Sequence, residues 1–107
     1  MSLLADQIVG KNLISALLPE GLELSFGEVS LSIYNPFSVE KHGRPLAFMD
    51  LVSLVPLRVV NVEVTECQAS IHLEQDVSIH VDLRPEAYAG PEAMVLRMGE
   101  KGLVVWQ

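Results

Sequence analysis

Cysteine is almost missing from this chain. The lone Cys67 has no intramolecular partner, so no internal disulfide staples the fold. A reducing compartment, the cytoplasm, is the expected setting. Basic residues are also few: seven Lys and Arg against fourteen Asp and Glu leave a net charge of −7. Without a basic footprint to displace counterions, nucleic acid is not an expected partner. No stretch reaches the roughly 18 uninterrupted apolar residues of a membrane helix, so no membrane partner is expected either. Met1-Ser2-Leu3-Leu4-Ala5 lacks the basic start and apolar core of a signal peptide. The chain has no glycine-rich strand-to-helix loop, no Gly-x-Ser-x-Gly and no His-Glu-x-x-His. The spacing therefore marks no catalytic, cofactor or metal set, and a non-enzymatic role is expected.

Apolar residues are abundant. Half of the 107 residues are hydrophobic and 20% are charged, which excludes disorder. The length fits one domain over residues 1–107. A positive mean hydropathy of +0.34 implies more apolar surface than a small monomer hides. Self-association, or capture of another protein, would cover the excess. The acids are spread along the chain and serve solubility or steering toward a basic partner.

The chain also repeats itself. Residues Ile8 to Ala16 align with Leu54 to Val62. Leu22-Glu23-Leu24-Ser25-Phe26 aligns with Ala69-Ser70-Ile71-His72-Leu73, and Val29-Ser30-Leu31-Ser32-Ile33 with Val77-Ser78-Ile79-His80-Val81. Two copies are too few for a solenoid, which needs at least about three. The expected fold is α+β and mostly β. Two pseudo-repeated units, each a helix plus three antiparallel strands, span about 3–37 and 46–85, and a C-terminal hairpin spans about 94–106. They would form either two packed sheets or one curled open sheet.

Local patterns fill in the plan. Leu4 with Ile8 gives a short first helix stopped by Gly10. Ile14, Ala16 and Leu18 should face inward, as should Leu22, Leu24 and Phe26, with a turn at Pro19-Glu20-Gly21 between them. Val29, Leu31 and Ile33 alternate with Ser30, Ser32 and Tyr34 as a period-two strand. Ser38 to Arg44 is polar and reads as a loop. Pro45 suits a helix start, and Leu46 to Val55 reads as a short, well-buried helix ended by Pro56. Val60, Val62 and Val64 should point inward in the second copy. Arg84 to Met94, with Pro85, Gly90 and Pro91, reads as one helical turn, a break and a further short segment. About eight strands and two or three short helices result.

Two groups of residues are candidate interaction or ligand sites. In a hairpin turning at Glu74-Gln75-Asp76, His72 faces Ser78 and His80 faces Ser70 on the outer side. The two rings would be diagonal neighbours with Asp82 on the same face. The alternative is an ordinary polar outer face, because the Cys/His spacing of a metal site is missing. The second group is Arg84, Glu86, Tyr88 and Glu92 on a proline-braced connection, where functional residues often sit. There the alternative is a tight connection with Tyr88 packed over a sheet edge. Cys67 has Glu63 and Glu66 nearby, the wrong sign of charge to favour a thiolate, and reads as a free turn cysteine.

The string Asp82-Leu83-Arg84-Pro85-Glu86-Ala87-Tyr88-Ala89-Gly90-Pro91-Glu92-Ala93 resembles a motif of a family of small uncharacterised bacterial proteins. Its type is Leu-x-Pro-Glu-x-Tyr-x-Gly-Pro-Glu-Ala, after an Ile/Leu-Val-Gly start such as Ile8-Val9-Gly10. The resemblance implies a bacterial cytoplasmic setting and assigns no activity, cofactor or site residue. Three functions compete. The first is a non-enzymatic interaction domain, a homo-oligomer or a binder of another protein, with an immunity-type inhibitor of a basic toxin as a variant. The second is a small-ligand binder. Its pocket would lie between the halves under Arg84–Glu92, lined by Phe37, Phe48, Tyr88 or Trp106. The third is an enzyme using Glu86, Glu92 or His80.

Overall fold

The computed structural model describes residues 3–18 and 21–106. The expected turn at Pro19-Glu20 lies outside them. Among the described residues there are eleven strands and two α-helices. No helix is long and apolar enough to cross a membrane.

The chain opens with α1 (Leu3–Ile8), which buries Leu4 and Ile8 and carries Asp6 in its first turn. Gly10, at φ +87°, ends it in a conformation costly to any side chain. Strands β1 (Asn12–Leu13), β2 (Ser15–Leu17), β3 (Leu22–Ser25) and β4 (Ser30–Ile33) follow. Then come β5 (Phe37–Lys41), β6 (Arg44–Pro45) and helix α2 (Phe48–Leu54). The remainder is β7 (Leu57–Val64), β8 (Gln68–Leu73), β9 (Val77–Asp82), β10 (Met94–Arg97) and β11 (Leu103–Trp106).

All the strands pair antiparallel in two open sheets. One has six strands in the order β1-β7-β8-β9-β5-β6; the other has five in the order β11-β10-β4-β3-β2. Their apolar rows meet in one core. Leu24, Leu31, Ile33, Met94 and Leu96 come from the five-stranded sheet, and Ile71, Ile79 and Val81 from the six-stranded one; all are fully buried. Leu4 and Ile8 of α1 and Leu51 of α2 join the same core.

Each sheet is built on a three-strand meander. In one, Ser15, Ala16 and Leu17 pair with Ser25, Leu24 and Glu23, and Leu24 pairs on with Leu31. In the other, Asn61, Val62 and Glu63 pair with His72, Ile71 and Ser70, and Ile71 pairs on with Ile79. The flanking hairpins cross between the sheets. β5–β6 follows β4 but adds to β9, while β10–β11 follows β9 but adds to β4. The helices cross over as well: α1 packs on β7 and α2 on β2. Buried Asn35 ties the two exits together, its Nδ2 donating to the Asp82 carbonyl at 2.8 Å.

Several expectations need correction. Ser38 to Arg44 is not a loop. Phe37–Lys41 pairs along β9 with Val39 facing the core and Ser38 and Glu40 facing out. Pro45 belongs to β6, so α2 starts later, at Phe48. Only Leu51 of α2 is fully inside, and Met49 is 69% exposed. Ile14 and Val60 point outward, at 53% and 50% exposure. The register of β7 against β8 slips between Val59 and Asn61, leaving Val60 as the extra residue of a bulge. Ile14 is the break between β1 and β2. Leu18 is also exposed.

Candidate functional site

The outer side of the six-stranded sheet carries a polar chain across four strands. β7 supplies Glu63, β8 supplies Ser70 and His72, β9 supplies Ser78 and His80, and β5 supplies Glu40. Period-two alternation puts all six outside while Val62, Ile71, Ile79 and Val39 fill the inside. His72 Nε2 lies 3.0 Å from Glu63 Oε1. His80 Nδ1 lies 2.9 Å from Ser70 Oγ, and its Nε2 is 3.2 Å from Ser78 Oγ and 3.5 Å from Glu40 Oε2. The two rings meet edge to face with centroids 6.2 Å apart. The expected diagonal arrangement is therefore present, and Glu40 is an addition from a strand read as a loop. Its signal was the alternation of Phe37, Val39 and Lys41 with Ser38 and Glu40. Among the described residues no three His, Cys, Asp or Glu side chains are placed to share a metal ion.

Arg84 closes one end of this face. Its Nη2 and Nε donate to Asp82 Oδ2 at 2.7 and 3.2 Å, and Nε also reaches Oδ1 at 3.0 Å. The Arg84 backbone N–H donates to the same Oδ1 at 3.0 Å. The guanidinium hydrogen bonds, then that backbone bond, hold the Asp82 carboxyl at about 2, well below its ordinary 3.8. Asp82 in turn raises the Arg84 pKa. Glu86 Oε1 stands 3.7 Å from Arg84 Nε. The guanidinium is thus committed to neighbours and is not a free anion receptor.

Two hollows flank the Leu83–Pro85 segment. The first, about 440 Å³, is the more polar of the two and includes Ser38, Gln68, His80, Asp82 and Arg84. The second, about 630 Å³, is mainly apolar and includes Val64, Leu83, Pro85, Tyr88 and Trp106. Cys67, exposed in the β7–β8 turn, borders both. Thr65 shapes that turn: its Oγ1 accepts the N–H groups of Cys67 and Gln68 at 3.2 and 3.1 Å. A third hollow, about 390 Å³, holds Tyr34, Pro91 and Glu92.

The candidate residues therefore separate into three places. His80 and Arg84 share the polar hollow, with His72 beside it on the sheet. Tyr88 stands in the apolar hollow with Trp106. Glu92 lies in the third. Glu86, Glu92 and His80 do not converge. Of the aromatics expected together, Tyr88 and Trp106 line one hollow. Phe37 borders the polar hollow instead, and Phe48 borders none of the three. Glu66 and Cys67 also line the apolar hollow, which the sequence does not show because only the folded turn brings them to the same place as Tyr88.

No family model, curated protein or solved structure matches this chain.

Proposed function

We propose that this protein is a non-enzymatic interaction module that pairs with a second copy of itself. The surface is the outward side of the strand that runs through β1 and β2, together with the β7 bulge. One observation carries the reading. Of the nine large hydrophobic residues exposed among the described residues, Val9, Ile14, Leu17, Leu18 and Val60 lie on this strand, directly before or after it, or on its pairing partner. Large apolar groups gathered on one outer strip favour association, whereas scattered ones are ordinary.

The choice of a second copy rests on internal symmetry, and we infer that the chain is a duplicated unit of helix, meander and hairpin. Three registers support this. Ser15–Ser25, Ala16–Leu24 and Leu17–Glu23 are pairs in one sheet; their aligned counterparts Asn61–His72, Val62–Ile71 and Glu63–Ser70 are pairs in the other. The pair Leu24–Leu31 has its counterpart in Ile71–Ile79. Asn12 pairs with Arg58, its own aligned residue, and Leu13 pairs with Leu57. Around that pair, Gly10 N–H donates to the Val59 carbonyl and Val59 N–H to the Lys11 carbonyl, both at 2.8 Å. Ile14 and Val60 are aligned residues placed symmetrically about it. A patch that looks alike after a half-turn suits isologous contact between identical chains.

Sedimentation equilibrium at tens of micromolar tests the proposal. The expected result is a dimer that Ile14→Ser with Val60→Ser converts to monomer. Both sites are exposed, so the fold should survive. A purely monomeric parent chain would refute self-association.

A further inference from the structure

We propose that the apolar hollow between the Pro85–Tyr88 turn and Trp106 binds a small organic ammonium ion with an apolar body. This site is separate from the strip proposed for self-association and does not depend on it.

Size and shape come first. At about 630 Å³ the hollow falls within the usual range for small-molecule sites, roughly 300–1,000 Å³. Its walls come from separate parts of the fold: Leu83 and Pro85 after β9, Val64 and Glu66 around the β7–β8 turn, and Trp106 from β11 of the opposite sheet. Pro85 opens a single 3-10 turn that ends at Ala87 and delivers Tyr88 to the hollow. Proline fixes φ there, so the aromatic is presented from a stiffened backbone.

Chemistry then selects the ligand. Tyr88 and Trp106 are the two aromatics of the lining, both half-buried. Faces of Trp and Tyr attract cations through the ring quadrupole. The one charged group of the lining is Glu66, an anion. Among the described residues neither the Glu66 carboxylate, the Tyr88 hydroxyl nor the Trp106 indole N–H has a hydrogen-bond or ion-pair partner. The neighbouring cation, Arg84, is forked onto Asp82 and so does not neutralise Glu66. Thr65 is already used within the turn. The net charge of −7 adds a long-range pull on cations. Two aromatic surfaces, an apolar floor and one unpaired carboxylate match an ammonium carried on a hydrophobic body.

Trp106 is the only tryptophan, so its fluorescence reports on this place alone. The probes are phenethylamine, phenethyl alcohol and phenylacetate, which share a ring and chain and differ in charge. At low ionic strength the amine should give a saturable change, with the alcohol about tenfold weaker and the acid weaker still. Glu66→Gln, at an exposed turn position, should weaken the amine several-fold toward the alcohol, the aromatic faces keeping part of the preference, and leave the alcohol unchanged. The Trp106 indole N–H resonance should move during the amine titration. Equal affinities for the three probes would overturn the proposal. So would an unchanged amine affinity in Glu66→Gln, an unmoved indole resonance, or no saturable response to any probe.

Discussion

On the outside of the six-stranded sheet, Glu63, Ser70, His72, His80 and Glu40 form one polar chain. On the outside of the five-stranded sheet, the register puts Leu17, Glu23, Ser25, Ser32 and Arg97 at the corresponding places. The contacts echo each other with other chemistry. Glu40 approaches His80 across the β5–β9 pair, and Arg97 Nη1 donates to Ser32 Oγ at 2.7 Å across the β10–β4 pair. Inside, the two sheets scarcely differ: Leu24 and Ile71, Leu31 and Ile79, Ile33 and Val81 are all fully buried. Burial restricts the inner rows to aliphatic residues of matched volume. The outer rows are less restricted, although Ser32 and Val95 are buried, and there the two surfaces differ, one carrying the polar chain and the other an exposed Leu17.

The comparison breaks most readily at the core. Leu31→Ala and Ile79→Ala remove fully buried side chains from the same row of the two sheets. Each should cost about 2–5 kcal/mol in urea unfolding, and the two losses should lie within about 1 kcal/mol of each other. A much larger loss at one site would mean that the two interiors are not packed alike.

A smaller effect sharpens it at the meander entrance. A Cβ on Gly21 would meet the backbone carbonyl of Ile33, which has no room to yield. Gly21→Ala should destabilise by about 1–3 kcal/mol in the same assay. Gln68, which stands across from Asp82 as Gly21 stands across from Tyr34, is exposed, and Gln68→Ala should stay within about 0.5 kcal/mol. Equal costs would mean that the crowding is not confined to the five-stranded sheet.

The smallest effect concerns Asp82 and Tyr34 themselves. The Asp82 pKa is lowered in the fold, so its ionised form stabilises the native state. That contribution is full above about 3.8, falls with pH, and is gone below about 2. Thermal melts of Asp82→Asn should therefore lie below the parent at neutral pH and converge with it on approach to pH 2. Tyr34→Phe should show no such convergence. A gap for Asp82→Asn that is constant with pH would remove the Arg84 link from the account.

Much of the fold was legible because alternation fixes both register and face. The pairing of His72 with Ser78 and of His80 with Ser70 follows from a turn at Glu74-Gln75-Asp76, and the sheet has that register. β5 escaped because it buries one full side chain, Val39, among polar neighbours. The outward turn of Val60 escaped because a bulge leaves no trace in a Val-Val pair, and that of Ile14 because nothing in Leu13-Ile14-Ser15 marks the break between β1 and β2. The apolar hollow was half legible. Tyr88 and Trp106 were candidates, but strand order decides which aromatics meet, and alternation carries no information on strand order. Glu66 and Cys67 became part of its rim only once the turn had formed.

Because the hairpins cross between the sheets, the molecule cannot come apart one sheet at a time without exposing backbone. Peeling β5–β6 away would strip β9 of a neighbour, and losing β10–β11 would do the same to β4. Either loss bares a strand edge, the usual template for sticking to other chains. Each sheet thus depends on a hairpin that arrives along the chain from the other. The protein should melt in a single cooperative step, without a half-folded species that survives dilution.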